Sequence, residues 1–547
     1  MIMTVSRRTM LGSLVGAGVG LGVAAVSGCS PSGTQPGAGS SNSSGTGARA
    51  TLPTYQPYTG VKPVAPATDT GAAPFFTEFP SDPPQFVTEQ PLSGGTVDIL
   101  TFLNTTPTAM EQNSWWQAIN ERLGGTITMQ GAPVADYVAK FQTVVAGNEL
   151  PDLAVIIPGY IPAAGELLKA KFTDLSDQLS GDGVLAHPGL ANIPSHSWTG
   201  CLTGGRIYTV PIPRFALYRA YIIRADLAEK LGVPTELKSG DDLISMMHEL
   251  TDATSGTFAT STATGLLDMV NEMKGTPNGW AVDDAGAFTK DWEAASFAES
   301  LDVVRQLWQD KTIHPTSFQS GLDVQGLYNS GVTPLWPAAS SWAGNAIKAT
   351  AADPAARTVP ITLPKWDGSG RAGRWLGNAA PYQVAIKRSS ADRTAELLRV
   401  INWFASPWGT QENLLSRNGI EGKHFTVADN GGFTRTDLGT AEFPAGLQYA
   451  GSAAMVHYSS DADLSRLEYD NAVTALDAAV PLPTVGLESE TDLSKGAGLT
   501  RDVTALIGDI IQGRKPLEAW DTGIKAWRAK GGDKIREEYQ ASYQASK

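Results

Sequence analysis

"TVDILTFLNTTPTAMEQNSWWQAINERLGGTITMQGAPVADYVAKFQTVVAGNELPDLAVII", residues 96–157, switches repeatedly between two periodicities, and that switching decides the fold class. Residues 96–102 follow a Gly-Gly break and are rich in β-branched and aromatic side chains, as a strand requires. Residues 108–123 have helical character and stop at Gly124-Gly125. Residues 126–130 read as a short strand. Residues 134–146 are amphipathic, with Val134, Val138, Phe141 and Val145 expected on one face. Residues 153–157 are a continuous apolar run, the pattern of a strand buried on both faces. Strand, helix, strand, helix, strand implies an α/β chain with a doubly wound, mainly parallel sheet.

The alternation continues downstream. Residues 207–223 read as paired extended segments broken at Pro211 and Pro213. Helices are expected over 225–231, 241–250 (with Asp241 as the cap), 292–308, 394–404, 506–511 and 526–543. Strands are expected over 332–336 and 382–386. No internal repeat is visible. At 547 residues the chain has room for two or more lobes with substantial cores.

Upstream the character changes. Phe75, Phe76, Phe79 and Phe86 stand among prolines, which suggests an extended segment strapped onto the domain surface. Residues 30–70 are rich in Ser, Gly, Thr, Pro and Ala. Such a composition buries too little surface to offset its ordering entropy, so a flexible tether is expected. Ser6-Arg7-Arg8-Thr9-Met10-Leu11 sets an arginine pair before an apolar run reaching Val26, the layout of an export signal. The run is glycine-rich and short for a bilayer span.

Charge and motifs exclude several functions. A net charge of -14 with no basic stripe opposes nucleic-acid binding and polybasic attachment to anionic lipid. The six histidines make no His-Glu-x-x-His motif, and two cysteines make no metal cluster. No nucleophile elbow or phosphate loop stands in the required context. Asp241-Asp242 and Asp283-Asp284 are adjacent pairs, read as a helix cap and a loop rather than as a glycosidase pair set across a cleft. Asp367-Gly-Ser-Gly370 lacks the downstream glutamate of a calcium loop. No metal or cofactor is expected.

Two resemblances organise the rest. Val26-Ser27-Gly28-Cys29 resembles a bacterial lipobox. That implies a signal over 1–28, a lipid on Cys29 and a tether over 29–74. Cys201 is then a lone thiol, expected to be buried and inert. The arginine pair resembles a twin-arginine export signal, with Met10 where phenylalanine is commoner.

Further along, Asp136-Tyr-Val-Ala-Lys140 leads to Ala146-Gly-Asn-Glu-Leu-Pro-Asp152, and Gly204-Gly-Arg-Ile-Tyr-Thr-Val-Pro211 follows, with Gly204 where aspartate is usual. Then come Ile223-Arg-Ala-Asp-Leu227, Leu231-Gly-Val-Pro234, Thr276-Pro-Asn-Gly-Trp280, Trp308, His314-Pro315, Ile401-Asn-Trp-Phe404 and Asn418-Gly-Ile-Glu-Gly-Lys-His424. In this order they resemble family 1 of the extracellular solute-binding proteins of ABC importers, in the lipoprotein branch for oligosaccharides of aldouronate type. The resemblance implies an α/β, two-lobe periplasmic-binding-protein type II fold with hinge strands between the lobes. The solute-binding domain is expected over 75–547, with lobe 1 over about 94–212 and 330–385 and lobe 2 over about 216–329 and 386–547. It further implies a monomer without catalysis, lipid-anchored on the outer face of the bacterial cytoplasmic membrane. Its expected partners are a carbohydrate and ABC permease subunits. A surface-anchored glycoside-active enzyme, or a binder of peptide or another polar solute, are the alternatives.

Ligands of open parallel sheets bind beyond the carboxyl ends of the strands. That rule selects the loops at 101–106, 158–162 and 336–342. They offer Asn104, Tyr160, Trp336 and Trp342. Aromatic rings suit the weakly apolar faces of a sugar, and amides or charged groups suit its hydroxyl rim. Trp280 in a Pro/Asn/Gly loop and Trp375 near Gly370 and Gly377 are further candidates. Of Trp115 and Trp116, adjacent on one helix, one is expected in the core. Arg214 and Arg219 stand near the expected hinge, suited either to a uronate carboxylate or to a hinge salt bridge. Glu421, between glycines, suits either sugar hydroxyls or a contact between closing lobes.

Overall fold

The computed structural model describes residues 49–547 apart from 162, 218, 339–340 and 429–430. The arginine pair, Cys29 and the tether up to residue 48 lie outside the described residues.

The quoted stretch folds in the expected order: β1 Thr96–Leu103, α1 Ser114–Leu123, β2 Thr126–Pro133, α2 Tyr137–Ala146 and β3 Leu153–Ile156. β1 pairs in parallel with β2 on one side and β3 on the other. Two more strands complete a five-stranded sheet: Tyr382–Ile386, antiparallel to β3, and Thr209–Ile212, antiparallel to Tyr382–Ile386. β3 is buried along its length, as its unbroken apolar run requires. α1 starts where the Asn113 side chain accepts the Trp116 amide N–H, and it stops at Gly124, whose φ of 74° ends the helix cheaply only without a side chain.

Three local expectations change. α2 buries Tyr137, Phe141 and Val144, while Val134 stands outside the helix, 49% exposed. The Tyr137 hydroxyl donates to the Val155 carbonyl at 2.5 Å, which turns that face of α2 toward the sheet. Trp115 and Trp116 are both buried, because α1 is covered on two sides. The Trp116 indole N–H reaches the Ile127 carbonyl in the sheet, and the Trp115 indole N–H reaches Leu415 on a neighbouring helix. The helix expected at 241–250 runs Gly240–Glu249 and is capped by Ser239, not Asp241.

A second, separate apolar core surrounds an antiparallel sheet of Leu335–Ala338, Ala220–Arg224 and Thr358–Pro360. The helices Ala263–Met273, Ala295–Gln309 and Ala497–Ile511 supply Leu266, Met269, Leu301, Val304 and Ile510 to it. The expected lobe boundaries are therefore corrected in their second halves. Residues 335–375 join the second lobe through the pairing of 335–338 and 358–360 with Ala220–Arg224. Residues 382–450 join the first lobe, where Leu397, Ile401, Leu447 and Ala450 share the core of the five-stranded sheet. Strand partners across a hundred residues are not encoded in local periodicity, so the crossings were misplaced. The chain passes between lobes at 213–219, 376–381 and 451–461, and Leu217 bridges Leu376 between the first two passages.

The expected tether is also shorter than residue 74. Residues 49–92 run over the surface without helix, held by backbone hydrogen bonds from Ala50 to Gly205, Thr54 to Gly181 and Gln56 to Ala191. Phe75 then bridges His457 and packs with Ala216, Leu217 and Tyr469 at the crossings. Phe76 packs on Trp408, ring centroids 4.3 Å apart and tilted by 35°, and the Phe86 and Val87 amides donate to Glu412. Averaging over 30–74 hid Leu52, Tyr55, Tyr58, Val61 and Val64 in its second half. Proline also lowers the ordering entropy of an extended strap and brings no N–H to satisfy.

Candidate functional site

The sheet edge fixes where chemistry can gather. β1 and β3 end at Leu103 and Ile156. The strand Tyr382–Ile386 runs the other way, so it begins at that same edge: Gln383 lies opposite Ile156, and Tyr382 opposite Ile212. Two crossing segments, 213–219 and 376–381, adjoin this edge. In the second lobe, Ala338 lies opposite Ala220, so the strand Leu335–Ala338 ends beside the first crossing.

Three aromatic rings form the floor of this edge: Tyr382 is half-buried, and Phe102 and Tyr449 are buried, 2% and 4% exposed. Phe102 packs on Tyr449 with centroids 4.2 Å apart and on Tyr382 at 5.0 Å, and the two tyrosine rings meet at 5.5 Å and 68°. Tyr449 reaches the sheet because Gly446 lies directly against it. Gly446 has φ 109°, and a Cβ there would stand 2.5 Å from Met129 Sδ. The Thr101 hydroxyl donates to the Gly446 carbonyl at 3.3 Å and holds that approach. Burial pushes the Tyr449 phenol above its ordinary value, against the opposing charge of Arg214 and a hydrogen bond with the Asn104 side chain. Asn104 itself is exposed at the end of β1.

Two guanidiniums flank the floor. Arg214 lies over Tyr382, 5.4 Å from the ring centroid, and donates to the Pro213 carbonyl at 2.8 Å. Arg417 sits in the last turn of the helix Gln411–Asn418 and donates to the Ser452 hydroxyl at 2.6 Å. Burial pushes the Arg417 guanidinium down to about 10, and the charge of Arg214 acts in the same direction. Tyr449 feels both cations.

The sequence candidates divide. Asn104, Arg214 and Tyr160 stand at this edge, Tyr160 on the loop after β3 and 69% exposed. Trp336 is half-buried on the second-lobe strand, its ring 5.4 Å from Tyr328. Arg219 pairs with Asp268 at 3.0 Å, and burial pushes that carboxyl up to about 6 against the pull of Arg219. Glu421 is exposed in a turn on the first lobe, bridged to Phe425.

Three tryptophans are corrected, because core packing takes their rings. Trp280 is buried among Phe288, Trp527 and Tyr539. Trp342 is fully buried, and its amide donates to Glu468 at 2.6 Å at the start of the helix Ala343–Ala352. Trp375 is buried with its indole N–H on the Thr276 carbonyl at 3.0 Å. Phe102, Tyr382, Tyr449 and Arg417 were missed.

One cluster has the residue types of a hydrolase triad. Ser114 Oγ lies 3.2 Å from His424 Nε2 and donates to Glu442 Oε2 at 2.5 Å. His424 Nε2 also faces Glu442, while its Nδ1 accepts the Ile420 amide. Serine and carboxylate thus share one ring nitrogen, whereas a triad needs one on each side. Glu442 instead accepts the Ser114 and Trp115 amides and caps α1.

A cavity of about 250 Å³ opens between the lobes, with Gly159, Leu168 and Gln383 on one side, Leu482 and Glu488 on the other and Asn378 at the crossing. A larger space of about 470 Å³ lies under the strap, lined by Tyr55, Tyr58, His196, Phe215 and Trp408, and it meets the aromatic floor only through Arg214. Among the described residues, no group of His, Cys, Asp and Glu side chains is arranged to hold a metal ion, and no helix is long and apolar enough to cross a membrane.

Residues 114–417, more than half of the chain, match the family model described as bacterial extracellular solute-binding protein. The chain is 22% identical over 396 residues to the polygalacturonan/rhamnogalacturonan-binding protein YtcQ of Bacillus subtilis (strain 168), covering 67% of this chain and 76% of that one. It is 19% identical over 481 residues to the lipoprotein LipO of the same organism, covering 83% and 93%. Among solved structures it shares the fold of the Streptococcus pneumoniae ABC-transporter substrate-binding protein FusA in complex with kestose. The TM-score is 0.58 at 15% identity, over 83% of this chain and all of that one.

Proposed function

The chain belongs to the bacterial extracellular solute-binding proteins, and from that premise we propose that it captures an oligosaccharide between its two lobes and delivers it, unaltered, to an ABC permease. The observation that carries the reading is the half-buried ring of Tyr382 at the open edge of the sheet, beside the crossing segments, backed by Phe102 and Tyr449 and flanked by Arg214. The Tyr382 ring matches the face of a sugar, and Asn104 and Tyr160 supply rim partners for its hydroxyls. Closure of the lobes about the crossing segments shifts an open–closed equilibrium, and the permease reads the closed form. The likeness to a lipoprotein supports anchoring through Cys29 outside the cytoplasmic membrane. The shared ring nitrogen of the Ser114–His424–Glu442 cluster favours capture over conversion.

Calorimetry against a panel of oligosaccharides tests the reading, with the bound ligand recovered and weighed. A tight ligand recovered intact is expected. Release of a cleaved product turns the reading to a glycoside-active enzyme. A bound peptide with no bound sugar turns it to another solute.

A further inference from the structure

The space under the strap is larger than the one between the lobes, about 470 Å³ against about 250 Å³, and three parts of the chain wall it. The strap supplies Tyr55 and Tyr58, the first lobe supplies His196 and Trp408, and the first crossing supplies Phe215. Tyr55, Tyr58, Phe215 and Trp408 are all half-buried, so each keeps an accessible face. Three of these rings are braced by a ring outside the lining: Tyr58 by Phe86 with centroids 5.3 Å apart, Phe215 by His457 at 4.6 Å and Trp408 by Tyr458 at 4.8 Å. Rings held from behind keep their places without an occupant, so the cavity is pre-formed. Asp69 and Arg214 are one charge of each sign in a lining otherwise of prolines, alanines, aromatic rings and a few small polar groups.

His196 is the polar group best placed to read an occupant. It lines the space, and Gly71 of the strap lies over its ring: a Cβ at Gly71 would stand 3.5 Å from Cε1. Burial holds the imidazole below its ordinary value, so at neutral pH one ring nitrogen is an acceptor. Among the described residues that ring has no hydrogen-bond partner.

We propose that the cavity under the strap is a second ligand site, distinct from the saccharide edge, which takes an uncharged aromatic molecule of two or three rings whose hydroxyl donates to His196. A closed apolar cavity of about 150 Å³ holds a benzene ring, so this space suits about three rings of that size. Braced aromatic walls offer flat faces for such rings to pack against. An oligosaccharide is a poor occupant, because most of its hydroxyls would lose water and find no partner. The inference stands apart from the saccharide reading, since the cavity meets the sheet edge only through Arg214.

Titration calorimetry on the full chain carrying Cys29→Ser uses three probes: β-naphthol, naphthalene and naphthalene sulfonate. β-Naphthol is expected to bind about 5- to 10-fold more tightly than naphthalene, the worth of one hydrogen bond. His196→Leu is expected to erase that preference while naphthalene still binds. Ala73→Trp on the strap and, separately, Ala454→Trp at the third crossing put an indole into the space, and each is expected to weaken both neutral probes about tenfold or more. Thermal melting identifies a filled variant that fails to fold, and the other then carries the test. With β-naphthol bound, amide hydrogen exchange is expected to slow at 55–76, 192–197 and 454–456. Failure of both neutral probes to bind, or slowing confined to the saccharide edge at 102–104 and 382–383, overturns the site. Tighter binding of the sulfonate than of β-naphthol, or a β-naphthol preference that survives His196→Leu, overturns the assigned ligand chemistry.

Discussion

Tyr382 carries a cation on one side and a phenol on another: the Arg214 guanidinium lies 5.4 Å from its ring centroid, while Tyr449 meets it at 5.5 Å. The ring stands where an antiparallel strand begins and a crossing segment ends. It therefore belongs at once to the sheet, to the hinge and to the open edge between the lobes.

Replacing Tyr382 by alanine is expected to weaken oligosaccharide binding about tenfold, since one well-placed aromatic contact contributes roughly 1.4 kcal/mol, whereas Tyr449→Ala truncates a buried ring and is expected to lower the denaturation midpoint. Tyr449→Phe keeps the ring and loses only the hydrogen bond with Asn104, so a smaller loss is expected. Fluorescence titration distinguishes these variants; Tyr382→Ala binding like the parent would remove this ring from the site.

Trp342→Ala and Trp280→Ala act on folding. Both side chains are buried, and truncating such a ring typically costs about 3–5 kcal/mol. Denaturant midpoints are expected to fall in both variants, with little change in affinity for whatever fraction stays folded. A normal midpoint with lost binding would return these rings to the ligand.

The Cys201 thiol is fully enclosed, and burial pushes it up to about 12, so the thiolate is scarce at neutral pH. With Cys29 replaced by serine, a chromogenic disulfide reagent should find no reactive thiol in the native protein and one after unfolding in guanidinium. Rapid labelling of the native chain would contradict this.

Asp268 gives the fold a pH dependence. Its folded value of about 6 lies above the ordinary 3.8, because burial outweighs the pull of Arg219. The folded state therefore holds this proton more tightly than the unfolded chain does. The stabilising contribution is complete below 3.8 and fades as pH rises through about 6. Asp268→Asn should flatten the denaturation profile between those limits. An unchanged slope in that window would show that Asp268 titrates normally.

The sheet was legible because its first half is local: Gly-Gly breaks, an unbroken apolar β3 and two helices of matching period place five elements within 61 residues of chain. The lobes were legible in number but not in membership. Residues 335–338 and 358–360 find Ala220–Arg224 more than a hundred residues away, and no periodicity announces that partner. In the site, strand ends led to Asn104 and Tyr160, which follow parallel strands. Tyr382 escaped because its strand is antiparallel, so its first residue, not its last, meets the open edge. Tyr449 lies in a stretch with little regular structure, where Gly446 was the available signal. Arg417 closes a helix and reads as an ordinary complement to the helix dipole. Tryptophan misled because an indole serves a core as well as a sugar.

The strap of residues 49–92 alters what swinging the lobes apart can mean. It is fastened to one lobe at Gly181 and Ala191, to the crossings at His457, and to the first lobe again at Glu412. A jaw with a free pivot opens as far as its own joints permit. Here a belt runs behind the pivot, so how far the mouth gapes, and how readily it lets go of what it holds, depends in part on a length of chain that belongs to neither jaw.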